Sequence, residues 1–203
     1  MYELGMLYKQ GIGTNPNSSK AVDWLEKAAK REYTAAMYEL GCCYQRGEGV
    51  SVNNEKAYNW FDRAAEDGHV KSLLALGHCH RDAIGTKQNE KKALDCYEKA
   101  AKKGDAEAMY YLATCYVDGR GTKPDPKDAL KWLEKAEKRG DVPKPIADRL
   151  SVYWDWLEGE KERSEAMLEA CDAAEKEGVE TESDLGRMDE AKKKAEAVSS
   201  DGA

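Results

Sequence analysis

The side chains with the most chemistry to offer in this chain are three histidines and six cysteines. The histidines lie close together in sequence, at His69, His78 and His80. The cysteines are Cys42, Cys43, Cys79, Cys96, Cys115 and Cys171. A zinc site needs ligands at recurring short spacings, and neither C-x-x-C nor any other zinc-ligand spacing is present. His78 and His80 are two residues apart, so on a helix they point to different faces and do not share a metal. The remaining chemical reading is a thiolate–imidazole pair of His80 and Cys96, the centre of a hydrolase or another thiol-dependent enzyme. Such a centre needs an exposed nucleophile and an oxyanion hole. Nothing in the chain reads as a nucleophile elbow, a phosphate loop or a metalloprotease helix. The Gly-x-Gly segments follow helical patterns rather than strands, so they read as turns. The expectation is a protein that is not an enzyme, with no catalytic residue, metal or cofactor.

The elements that would position these residues come from a strict internal repeat. Leu4-Gly5, Leu40-Gly41, Leu76-Gly77 and Leu112-Ala113 recur at a step of 36 residues. The same step relates Tyr8, Tyr44, His80 and Tyr116, and also Trp24, Trp60, Cys96 and Trp132. Gly13, Gly49, Gly85 and Gly121 form another column, and alanines recur at Ala21 and Ala28 and their equivalents. A period of this length means a solenoid or array. Within the second copy, Ala36, Met37, Leu40, Cys43 and Tyr44 fall on one helical face. Gly47 and Gly49 stop that helix, because glycine supplies a left-handed cap at low cost. Ala57, Trp60, Phe61, Ala64 and Ala65 then make the stripe of a second helix, which ends at Gly68. A helix pair cannot bury such stripes alone, so the pairs must stack. A glycine inside a helix costs roughly 1 kcal/mol against alanine. Its recurrence after Leu therefore points to two helices in close approach, with the paired alanines of the second helix as the matching small surface. His80 and Cys96 both replace aromatics of the same repeat. They read as coupled packing substitutions inside a solenoid that offers no entry path.

Leu-Gly-x-x-Tyr, a Gly-x-Gly loop, and Lys-Ala-x-x-Trp-x-x-x-Ala-Ala ending in Gly occur together at this period. In that combination residues 1–141 resemble the Sel-one-like repeat, a relative of the tetratricopeptide class. The resemblance implies an all-α, right-handed superhelix of stacked helix pairs. It also implies a non-catalytic scaffold or adaptor that binds a protein or peptide, with the first helices lining the concave side. Disulfide-rich members of that family pair a Cys on one helix with a Cys on its neighbour within each repeat. Here only the third repeat has both, Cys79 and Cys96. Cys43, Cys79 and Cys115 share a column with Leu7, as small buried hydrophobes do. The thiols therefore read as reduced and the compartment as cytoplasmic.

Length, charge and hydropathy fit this reading. The chain has 203 residues and a formal charge of −7. Residues 1–141 hold 23 Lys+Arg against 22 Asp+Glu, net +1, and residues 142–203 hold 9 against 17, net −8. With a pI of about 5.2 and no basic stripe, neither nucleic acid nor an anionic membrane is an expected partner. No apolar run is long enough to span a bilayer, and no signal peptide is evident. The first repeat lacks its opening residues. Pro143 and Pro145 mark a boundary, after which 142–179 reads as a degenerate capping pair of helices and 180–203 as an acidic terminal helix or tail.

The array keeps its packing columns constant, so columns that vary mark a candidate binding surface. Three columns of the first helices vary most. They run Glu3, Glu39, Ala75, Tyr111; Met6, Cys42, His78, Thr114; and Gln10, Arg46, Asp82, Asp118. Their i, i+3, i+7 spacing makes one stripe per helix. Stacking is expected to align the stripes into a continuous, solvent-facing partner groove formed by Glu39, Cys42, Arg46, Ala75, His78, Asp82, Tyr111, Thr114 and Asp118. Tyr111 and Arg46 are the expected anchors, since both residue types are enriched at hot spots. Tyr2, Tyr38, Leu74 and Tyr110 read instead as packing.

Overall fold

The computed structural model describes residues 1–139, together with Gly159, Glu162, Arg163, Ala166 and Glu169. Apart from those five positions, the expected capping pair at 142–179 lies outside the described residues, as does the acidic tail at 180–203. The first 139 residues form four helix pairs: α1 (Tyr2–Gln10) with α2 (Ser18–Ala29), α3 (Thr34–Arg46) with α4 (Asn54–Glu66), α5 (Val70–Asp82) with α6 (Glu90–Lys102), and α7 (Ala106–Asp118) with α8 (Pro126–Arg139). Each helix packs on the one before it and the one after it, so the pairs stack in chain order as an all-α superhelix.

The anticipated stripes are the buried ones, except that Trp60 is only partly buried. Ala36, Met37, Leu40, Cys43 and Tyr44 of α3 are buried, as are Ala57, Phe61, Ala64 and Ala65 of α4. Cys43, Cys79 and Cys115 are buried free thiols, while Leu7, their counterpart at the start of the stack, is 38% exposed. Tyr110 is almost fully buried, and Tyr2, Tyr38 and Leu74 are partly buried against the core.

The first helix of each pair ends on a left-handed residue. Gly47 has φ +73 and its N–H donates to the Cys43 carbonyl. Ala83 takes the same conformation in the third repeat, with φ +57 and an N–H to the Cys79 carbonyl. The loop then returns to its own helix. The backbone N–H groups of Asn17, Asn53, Asn89 and Asp125 donate to the carbonyls of Tyr8, Tyr44, His80 and Tyr116 at 2.8–2.9 Å. Those same four residues cap the second helices. Their side-chain Oδ1 atoms accept from the N–H groups of Lys20, Lys56, Lys92 and Asp128 at 2.9–3.0 Å. This capping column, which satisfies orphan donors of the first turn, was not recognised from sequence.

The mid-helix glycines do mark a close approach, but the surface they meet is not the paired alanines. A Cβ built on Gly41 would stand 2.5 Å from the Phe61 ring, and one on Gly77 would collide with the Tyr97 ring. At Gly5 the neighbour is Leu25, at 3.1 Å. An aromatic ring packed this close to the first helix needs the glycine. A leucine does not, which is why the fourth repeat joins Ala113 to Leu133 in one cluster.

Candidate partner-binding site and its relatives

The variable stripe of α5 and α7 borders a hollow of about 440 Å3. Asp82, Tyr111, Thr114 and Asp118 line it, as expected, and so do Arg81 and Tyr97. Tyr97 sits on α6 in the column of Leu25, Phe61 and Leu133, so it is the copy that carries a hydroxyl. Its ring stacks on Tyr111 with centroids 5.4 Å apart, and its hydroxyl lies 2.9 Å from His78 Nδ1. The His78 ring meets Tyr111 edge-on at 4.6 Å, and the Arg81 guanidinium lies 5.1 Å over the Tyr111 ring. Arg81 also donates to both Asp82 carboxylate oxygens, at 2.8 and 2.7 Å. The result is an aromatic floor with a fixed guanidinium–carboxylate fork at its rim. Such a surface offers flat apolar area together with planar hydrogen-bonding groups.

Other members of the expected groove are placed differently. Cys42 is only 5% exposed. Burial raises the pKa of its thiol, a direction partly opposed by a hydrogen bond with Tyr38. His78 is packed between Tyr97 and Tyr111, and burial holds its pKa down at about 4. In the second and third repeats the middle column of the stripe is therefore packing rather than solvent-facing surface, whereas Thr114 of the fourth lines the hollow. The geometry explains this: three residues after the first column and four before the third, it turns His78 toward Tyr97 of the second helix. Ala75 is half-buried against the core of the second repeat. Glu39 is held by Lys9 of the preceding repeat at 2.8 Å, and Lys9 also reaches Glu48 at 3.4 Å. Arg46 is exposed but paired with Glu48 at 3.2 Å. Ion pairs thus occupy the stripe in the first two repeats, so it is not one uniform open groove. Arg46 does not line the hollow; Arg120 does, and so does Arg81, whose guanidinium lies over Tyr111. Its column, Lys9, Gln45, Arg81, Val117, varies as widely as those chosen, which was the signal for it in the sequence.

His80 and Cys96 are brought together, though not as a reactive pair. Both line a second hollow of about 520 Å3, open to solvent between α4 and α6. The expectation of no entry path is therefore corrected: losing the large side chain at position 96 opens the packing there. Burial pushes the Cys96 thiol up to about 11 and lowers the pKa of His80. An activated nucleophile requires the opposite shift at the thiol, so nothing here supports the enzyme alternative. Cys79 and Cys96 are free thiols. Among the described residues no cluster of His, Cys, Asp and Glu is grouped to hold a metal, and no helix is long and apolar enough to cross a membrane.

Comparison with known proteins agrees with this architecture. The Sel1 repeat family model matches four successive segments, 1–33, 34–69, 70–105 and 106–141. The structure is similar to a Sel1 repeat protein from Oxalobacter formigenes, with 29% identity and a TM-score of 0.66, over 96% of this chain and 70% of that one. It is also similar to c5321, a protective antigen with an SLR fold present in uropathogenic Escherichia coli strains. There the identity is 26% and the TM-score 0.70, over 84% of this chain and 40% of that one. No curated protein matches the chain. Four contiguous family matches, each coinciding with one helix pair of the stack, show that this chain belongs to the Sel1 repeat family.

Proposed function

We propose that this protein is a non-catalytic scaffold or adaptor whose α5–α7 hollow binds an extended or helical segment of a partner protein. Sel1 repeat proteins generally mediate protein–protein interactions, and the fold carries that coarser statement. The observation that supports the finer one is the hollow itself, where Tyr111 and Arg81 border about 440 Å3 of open space, backed by the fully buried Tyr97 ring. Tyr and Arg are the residue types that dominate binding hot spots, because they bring area and directed hydrogen bonds at low conformational cost. Arg81 and Asp82 suit a partner's backbone or a carboxamide at the rim. A cytoplasmic location is part of the proposal and rests on the free, buried cysteines.

The test begins with a partner identified by pull-down and mass spectrometry, followed by affinity measurements on purified proteins. Tyr111→Ala is expected to weaken binding at least tenfold without changing the fold, and Arg46→Ala to leave it within about twofold, consistent with hot-spot against rim behaviour. Undiminished binding by a normally folded Tyr111→Ala protein would remove the hollow from consideration.

A further inference from the structure

The third repeat differs from its siblings on the side built by the second helices. In the other three repeats a tryptophan fills one site, Trp24, Trp60 and Trp132. Each is partly buried and is roofed by the cation three residues on. Lys27 lies 4.3 Å from the Trp24 ring, Arg63 4.9 Å from Trp60 and Lys135 4.1 Å from Trp132. The third repeat has Cys96 in place of the tryptophan, but it keeps the cation, Lys99. With no ring beneath it, Lys99 turns to Asp95 at 2.7 Å on an exposed surface.

A second cation is left in the same way. Lys20 and Lys56 lie 5.5 and 5.2 Å from the rings of Tyr8 and Tyr44. Their counterpart is Lys92, and the side chain in the tyrosine column is His80. His80 is 4% exposed, and its Nδ1 is buried without a hydrogen-bond partner. An unpaired buried polar atom costs free energy unless something arrives to satisfy it. Lys92, Lys99, His80 and Cys96 all line the hollow of about 520 Å3, with Leu76 and Tyr58 as apolar walls.

We propose that this notch is a receptor for a tryptophan side chain presented by a partner protein. The occupant is defined by what the site lacks. Its three siblings hold an indole there, and it retains Lys99, the cation that would lie over one. The notch lies on the second-helix side, away from Tyr111, so it is independent of the hollow proposed above.

The test uses the full chain and a short Gly/Ser peptide with one central tryptophan, followed by NMR of the His80 ring and the Lys99 side chain. Saturable shifts are expected with this peptide and not with its alanine counterpart. Cys96→Trp should fill the notch, melt no lower than the parent protein and abolish the shifts. Lys99→Ala, an exposed change that leaves the packing intact, should weaken binding about two- to fivefold, the size of an exposed cation–π contact. Tyr111→Ala should leave the titration unchanged, which separates this site from the other hollow. The proposal is overturned if no saturable shift occurs, if binding is unaltered in Lys99→Ala, or if it survives in a folded Cys96→Trp protein. Binding of free N-acetyltryptophanamide without binding of the peptide overturns it as well, and marks a small-molecule cleft instead.

Discussion

Gly41 and Phe61 are the pair in which the internal repeat shows most clearly what a single residue decides. The ring of Phe61 lies where a side chain at position 41 would be. Gly41→Leu is expected to destabilise the protein by about 2 kcal/mol or more through overpacking, measured by thermal or urea unfolding. The fourth repeat, with Ala113 and Leu133, shows the compensated alternative. Gly41→Ala combined with Phe61→Leu should therefore cost less than the sum of the two single changes, and strict additivity in the double-mutant cycle would refute the contact. Among the described residues, two that are not glycine occupy left-handed backbone, Ala83 at φ +57 and Glu32 at φ +60. Each stands where sibling repeats use glycine: Gly11, Gly47 and Gly119 for Ala83, Gly68 and Gly104 for Glu32. That conformation strains a side chain by about 1 kcal/mol. Ala83→Gly and Glu32→Gly should each raise the melting temperature, and a lower value for either would mean that its side chain contributes more than the strain it carries.

At the scale of elements, the second glycine of each loop sets how repeats stack. A Cβ on Gly121 would fall 2.5 Å from the Glu90 carbonyl oxygen, and those on Gly49 and Gly85 would strike the backbones of Ser18 and Asn54. Each loop is thus seated on the opening turn of the second helix of the preceding pair. Gly13 has the same positive φ, but its Cβ position is open. Comparing the two separates backbone strain from stacking. Gly85→Ala should cost on the order of 2 kcal/mol more than Gly13→Ala, since only the former forces backbone apart. Equal losses in chemical unfolding would show that conformation alone explains the column. The Asn/Asp caps work beside these glycines, since one residue both closes the loop and starts the next helix.

For the whole molecule, the histidines give stability a pH dependence of definite sign. The pKa values of His69, His78 and His80 are all held below 6.5, in each case mainly by burial, and His78 is lowered to about 4. In the unfolded chain they protonate near 6.5, so below that pH the unfolded state binds more protons. The stability from their neutral forms is present above 6.5 and is lost as the pH falls toward 4. Thermal melts are expected to show a loss on the order of 2 kcal/mol across this window. His78→Gln should flatten the curve between pH 6.5 and 4 by removing the largest of the three shifts, while an unchanged slope would mean that carboxylates alone account for the acid limb.

The array could be read from the sequence because each repeat copies the same local solution. The 36-residue step, the buried faces of the helices and the left-handed cap at Gly47 follow from residue type and spacing, which are properties of one unit and its copies. The contents of the candidate sites depend on which side chains meet between units, and period alone carries no such information. Glu39 and Cys42 share a variable stripe with Tyr111, yet an ion pair from the preceding repeat holds one and packing buries the other. Arg81 joins Tyr111 because α5 and α7 belong to adjacent pairs. The partner of Gly41 is a ring rather than the paired alanines because helix rotation, fixed only when α4 docks on α3, turns Phe61 toward it. Cys96 is one unremarkable letter in a column until the stack shows that losing a tryptophan there opens a notch and leaves Lys99 without a ring. Local propensity and periodicity act along the chain, while these contacts arise across it, so tertiary packing alone decided them.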